Sequence, residues 1–154
     1  MTILTEFQEK YKVVEYSIYE TEHWIWSVRP NQGTIGAGIL SLKRECVTFS
    51  GLEQNEFSDL NNIIKIIEST LKSTLNYDVI NYLMLMMIDK HVHYHVFPRY
   101  KNPVSFLDEV WKDETWPALP SLMGDTLMND KLQEITKIIK SKVKSRSEFG
   151  NEKI

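Results

Sequence analysis

The sequence predicts an α+β domain: an antiparallel sheet of about five strands, one long central helix and a C-terminal helix. Three observations carry that expectation. Before residue 44, three segments alternate apolar and polar residues with the two-residue period of a strand. Between residues 57 and 75, apolar side chains recur at the three- and four-residue steps of a helix. Residues 81–88 and 91–99 are two further strand-like runs separated only by Asp89 and Lys90. Parallel strands cannot be joined so briefly, so these two are expected to form a tight antiparallel hairpin.

The elements follow in chain order. Thr5 with Gln8 three residues later is a capping-box pattern, which starts a short opening helix running to about Tyr11. Val14, Tyr16 and Ile18 then alternate with polar neighbours as a first strand. Residues 23–29 form the second, with Trp24, Trp26 and Val28 on one side and His23, Ile25 and Ser27 on the other. Pro30 to Gly33 breaks the pattern, and residues 36–43 give the third. The long helix carries Phe57, Leu60, Ile64, Ile67, Leu71 and Leu75, with Asn76 as its stop. Past Tyr100 periodicity fades until Leu132, Ile135, Ile139 and Val143 mark a last helix, capped by Asn129 or Asp130. The chain is thus read as one domain over 1–154: a core at about 14–100, a helical extension at about 101–145 and a charged, fraying tail at 146–154.

Composition narrows the function. The formal charge of −3 gives no general attraction to nucleic acid or to an anionic membrane, so affinity for phosphate has to be local. Cys46 is the only cysteine, which rules out an internal disulfide framework and a cysteine-rich zinc site. Residues 82–88 are the most apolar window, far short of the roughly 20 residues a membrane-crossing helix needs, and residues 1–12 lack the pattern of a signal peptide. A cytoplasmic protein is expected.

The informative segment is Lys90-His91-Val92-His93-Tyr94-His95-Val96-Phe97-Pro98-Arg99. On a strand, His91, His93 and His95 share one face at steps of about 7 Å, while Val92, Tyr94 and Val96 turn to the core. A neutral imidazole carries one donor and one acceptor, so such a row can accept and donate protons around a phosphate near neutral pH. The middle ring is the natural nucleophile: one ring nitrogen can be held by a hydrogen bond while the other keeps a free lone pair. Exchange of His93 is then expected to abolish covalent chemistry and leave stability little changed, because the core residues lie on the opposite face.

The pattern from His91 to Phe97 resembles the signature of the histidine triad nucleotide hydrolases and transferases. The likeness runs from about Val14 to Tyr100, and residues 81–89 before the row with Pro98-Arg99-Tyr100 after it are similar to a bacterial and fungal branch of that family. It implies an antiparallel sheet flanked by helices, a homodimer with the two sheets joined, and a nucleotide as the small-molecule partner. It further implies that His93 takes a nucleotidyl group as a covalent phosphoramidate that water cleaves, that His95 contacts a phosphate oxygen and helps protonate the leaving group, and that His91 orients the row. No metal and no cofactor is required by that route.

Two departures from the family pattern stand out. Ala37 follows Gly36 where better-known branches carry a further histidine, and only Asp89 and Lys90 stand where those branches have a glycine-rich phosphate loop. Arg99, Lys90 and Asp89 are candidates for substrate contact by their place beside the row, and Trp24 and Trp26 for stacking on a base. Two other readings stay open: a nucleotide-binding or sensing module without turnover, and a metal site built on the histidine row. His23 is read as an ordinary strand residue.

Overall fold

A computed structural model of the chain describes residues 1–144, so the tail expected at 146–154 lies outside the described residues. Five strands form one sheet: β1 (Ser17–Glu20), β2 (Trp24–Val28), β3 (Gly38–Leu42), β4 (Val79–Leu83) and β5 (His93–Arg99), in the order β1-β2-β3-β5-β4 with every pair antiparallel. Alternation decides what each face holds. Trp24, Trp26, Leu40, Leu42, Val92 and Val96 enter one large core with Ile63, Ile67 and Leu71 of helix α2 (Gln54–Leu75) and Leu132, Ile135 and Ile139 of helix α3 (Asn129–Ser141). The opposite face carries a smaller cluster, Phe7, Val13, Ile25 and Ile39, under helix α1 (Ile3–Lys10). Both faces of β2 and β3 are buried in consequence.

Helix ends follow local chemistry. At α1 the cap is Thr2, whose hydroxyl accepts from the Thr5 amide at 3.1 Å, so the helix starts earlier than the Thr5-Gln8 pattern suggests. Glu53 and Glu56 form a reciprocal capping box that opens α2 ahead of Phe57, and Asn76 closes it in the left-handed region at φ 49°. Neither Asn129 nor Asp130 caps α3: both lie within the helix, the cap position is Met128, and the Asn129 carboxamide instead accepts from the Tyr16 hydroxyl at 2.6 Å.

The expected two-residue hairpin is corrected. β4 and β5 do pair, and Leu83 opposite His95 places the centre of the register at Asp89, but pairing ends there and residues 84–92 form a long connection. The backbone beyond the ladder is taken by another partner: the Val92 amide donates to the Cys46 carbonyl at 2.8 Å and the Leu42 amide to the Val92 carbonyl at 3.2 Å. A second hairpin, β6 (Val104–Phe106) with β7 (Glu109–Trp111), stands where the sequence showed no periodicity. Its turn places Leu107 and Asp108 at φ 55° and 57°, and Leu-Asp is a poor sequence signal for such a turn.

Candidate active site

Strand parity puts His93 and His95 on the α1 face of β5, His93 beside Ser41 and His95 beside Ile39 across the ladder to β3. The row is covered. His91, His93 and His95 are 0%, 0% and 5% exposed, and the cover is α1: the Phe7 ring lies 5.2 Å from His91 and 4.8 Å from His93, and Tyr11 sits 5.8 Å from His95. Phe7 and Tyr11 are four residues apart and so share one side of the helix and its end. Substituting His93 therefore opens space beneath Phe7, and the expectation that its loss leaves stability little changed is corrected by this burial.

Hydrogen bonds fix the ring tautomers. The His93 Nδ1 lies 2.5 Å from the His91 carbonyl, which can only accept, so Nδ1 carries the hydrogen and Nε2 keeps its lone pair. That lone pair faces the Nε2 of His95 at 3.2 Å, the two rings standing nearly perpendicular at 81°. The Nδ1 of His95 receives the Arg29 Nε–H at 3.1 Å. A directed chain results, from Arg29 to His95 to His93 to the His91 backbone. His91 stands apart, because its Nε2 donates to the Leu42 carbonyl at 2.7 Å and its Nδ1 accepts from the Cys46 amide at 3.5 Å. Its ring braces the loop after β3, and the three imidazoles do not converge on a common point. Among the described residues, no three His, Cys, Asp or Glu side chains are grouped to hold a metal ion.

Burial pushes all three imidazoles below the ordinary histidine range. His95 is pushed furthest, to about 3, by burial first and then by the Arg29 charge. Asp89 holds the cover down. Its carboxylate accepts from Lys10 at 2.8 Å and from the Tyr11 hydroxyl at 2.5 Å. Burial alone would raise this carboxyl, but those two bonds bring it below its usual value. Lys90 is exposed and, with Lys10, Phe7, Ile88, Asp89 and His91, lines a cavity of about 360 Å³ at the end of the row.

The other expected contacts are not at the row. Trp24 and Trp26 are 0% exposed and belong to the α2 side of the sheet, with the Trp24 indole N–H donated to the Glu56 carbonyl at 2.8 Å, so they pack the core and do not line a base pocket. Arg99 is 4% exposed and spent on structure: its guanidinium donates to Asp113 at 2.7 and 3.2 Å and to the Ala118 carbonyl at 2.8 Å. Ala37 is fully buried, with its carbonyl receiving the Arg29 amide at 2.9 Å. His23 lies away from the row, its Nε2 3.4 Å from Asn55. The residue that sequence reasoning missed is Arg29. The signal was present, because Ile25, Ser27 and Arg29 alternate onto the histidine face, but its reach to His95 depends on strand order.

No family model matches the chain, and no curated protein matches it by sequence. Solved structures do. A histidine triad protein from Sinorhizobium meliloti superposes with TM-score 0.66 at 15% identity, over 86% of this chain and 93% of that one. The fold is the histidine triad fold. A hypothetical histidine triad nucleotide-binding protein from Sulfolobus tokodaii is similar at TM-score 0.64 and 15% identity, covering 82% of both chains. The Plasmodium falciparum diadenosine triphosphate hydrolase is similar at TM-score 0.62 and 16% identity, over 82% of this chain and 74% of its own. Within the histidine triad fold, the α+β class, the five-stranded antiparallel sheet, the long α2 and the C-terminal α3 are as the sequence predicts. Among the described residues, no helix is long and apolar enough to cross a membrane.

Proposed function

We propose that the chain is a nucleotide hydrolase or nucleotidyl transferase in which His93 attacks the α-phosphorus of a nucleotide. The observation that carries this reading is the hydrogen bond from His93 Nδ1 to the His91 carbonyl, which leaves the Nε2 lone pair, facing His95, as the one acceptor pair of the ring. Attack forms a P–N bond and breaks the P–O bond to the leaving group, which departs with the electron pair. Water then attacks phosphorus, the P–N pair returns to His93, and the nucleoside monophosphate is released. The His95 Nε2–H offers a hydrogen bond to a phosphate oxygen, His91 holds the backbone carbonyl in place, and Lys90 with Lys10 supplies positive charge at the mouth.

A homodimer with joined sheets is part of the same proposal. β4 is one of the two edge strands of the sheet, and Val79 on it is 46% exposed. Sedimentation at micromolar concentration checks it, and a monomer there overturns it.

A second reading, a binding or sensing module without turnover, draws on the burial of His93 beneath Phe7 and Tyr11. Intact mass after exposure to a dinucleoside polyphosphate separates the two. A nucleotidyl adduct that disappears in His93→Asn supports the enzyme. Binding without any adduct or single-turnover product supports the module.

A further inference from the structure

We propose that Arg29 locks His95 as the neutral Nε2–H tautomer, making Arg29 a positioning residue that suits the site to phosphoanhydride rather than amine leaving groups. This rests on the assignment of His93 as nucleophile. The geometry is specific. Arg29 is 7% exposed, its Nε donates to His95 Nδ1, and its two terminal nitrogens donate to the carbonyls of Asn31 and Leu122, both at 3.0 Å. Its plane is further held over the Phe97 ring, 5.3 Å away. All three acceptors are neutral. A guanidinium has donors only, so a hydrogen on His95 Nδ1 would stand against another donor at 3.1 Å. The hydrogen of His95 is thereby confined to Nε2, the nitrogen that faces His93.

The surrounding charges reinforce this. Arg29 at the end of β2, the neighbouring His93 and Lys10 on α1 all oppose a positive His95, and burial opposes it more strongly still. Only Asp89 favours it, and Asp89 is engaged by Lys10 and by Tyr11, whose ring packs on His95.

The consequence lies in the leaving group. When His93 Nε2 displaces a phosphate from an anhydride, the P–O electron pair rests on an oxygen that is stable as an anion, and the His95 Nε2–H stabilises it without transferring a proton. An amine leaving from a P–N bond needs a proton as it departs. A neutral imidazole that surrendered its Nε2 hydrogen would become imidazolate, and Arg29 blocks the protonated form that could have supplied it.

Nitrogen-15 spectra of uniformly labelled protein test the lock directly. The expected result is a His95 with pyridine-type Nδ1 and pyrrole-type Nε2 from roughly pH 5 to 8. A hydrogen on Nδ1, or an imidazolium at neutral pH, overturns it. Turnover of a diadenosine polyphosphate against adenosine phosphoramidate tests the consequence, with an expected preference of about 100-fold or more for the anhydride. Equal rates overturn it. Arg29→Met should narrow the preference and add an acid limb to the phosphoramidate pH profile, while Arg29→Lys, which keeps a donor, should retain more of the preference. If Arg29→Met fails to fold, the wild-type spectrum and substrate ratio still decide. No adduct with either substrate removes the preference along with the proposed reaction, and a His95 spectrum of the expected form then shows that the reaction, and not the lock, was wrong.

Discussion

The Tyr11 hydroxyl donates to the Asp89 carboxylate at 2.5 Å, and this contact, with the Lys10 ion pair at 2.8 Å, ties helix α1 to the connection that leads into the histidine row. The tie joins residues 78 positions apart in sequence. The rings of Phe7 and Tyr11 on the segment so tied lie 4.8 and 6.3 Å from the His93 ring.

Asp89→Asn should therefore loosen the cover. Hydrogen bonds to a charged group contribute about 1.5–3 kcal/mol each, and losing the charge should speed amide exchange in α1 by roughly tenfold or more. Modification of His93 by diethyl pyrocarbonate should accelerate in parallel. Unchanged exchange and unchanged modification would show that apolar packing alone holds the helix.

Acid should release the same helix. The Asp89 carboxyl sits below its ordinary value of 3.8, so its contribution is complete above that value and is lost as pH falls through the lower, folded one. Exchange in α1 should rise below about pH 4 in the wild type, and the Asp89→Asn variant should lack this component.

The buried histidines act over a different range. All three have folded pKa values below the ordinary 6.5, so between the two values the unfolded chain binds more protons and stability rises with pH. Thermal or urea stability should be greatest above about pH 6.5 and fall as pH decreases, by up to about 1.4 kcal/mol per pH unit for each group. His93→Asn should flatten that slope by about one proton. An unaltered slope would mean that His93 is not buried in its neutral form.

His93→Ala should lose adduct formation and also lose stability, by about 1–3 kcal/mol, since it leaves a cavity against Phe7 and an unpaired His91 carbonyl. His93→Asn fills part of the space and should lose less. Urea melts and intact mass on both variants separate the two effects, and full activity in either variant would refute His93 as nucleophile.

Asp113→Ala should be among the most destabilising single changes. It leaves the Arg99 guanidinium buried without its carboxylate, a loss of about 3–5 kcal/mol where a buried pair is broken. A loss under about 1 kcal/mol by urea titration would show that Arg99 has water or another partner available.

Much of this protein is determined by local sequence. Two-residue alternation in β2 and β5, the three- and four-residue spacing of α2 and the left-handed stop at Asn76 follow from backbone geometry and side-chain size alone, and each stands where periodicity puts it. His93 and His95 were legible for the same reason, because parity on a strand fixes a face without reference to any other element, whereas His91 lies ahead of β5 and is held by Leu42 and Cys46. What covers that face was not. Phe7 and Tyr11 reach the row from the start of the chain, Arg29 reaches His95 from the end of β2 across β3, and Asp113 claims Arg99 from a loop beyond it. The long 84–92 connection likewise replaces a two-residue turn because Val92 pairs with Cys46 and Leu42 instead of continuing the hairpin. These outcomes depend on the order β1-β2-β3-β5-β4 and on which helix packs on which face, where distant backbone and charged groups compete for the same partners. Sequence periodicity records which side a residue takes, and only the packed tertiary structure decides what meets it there.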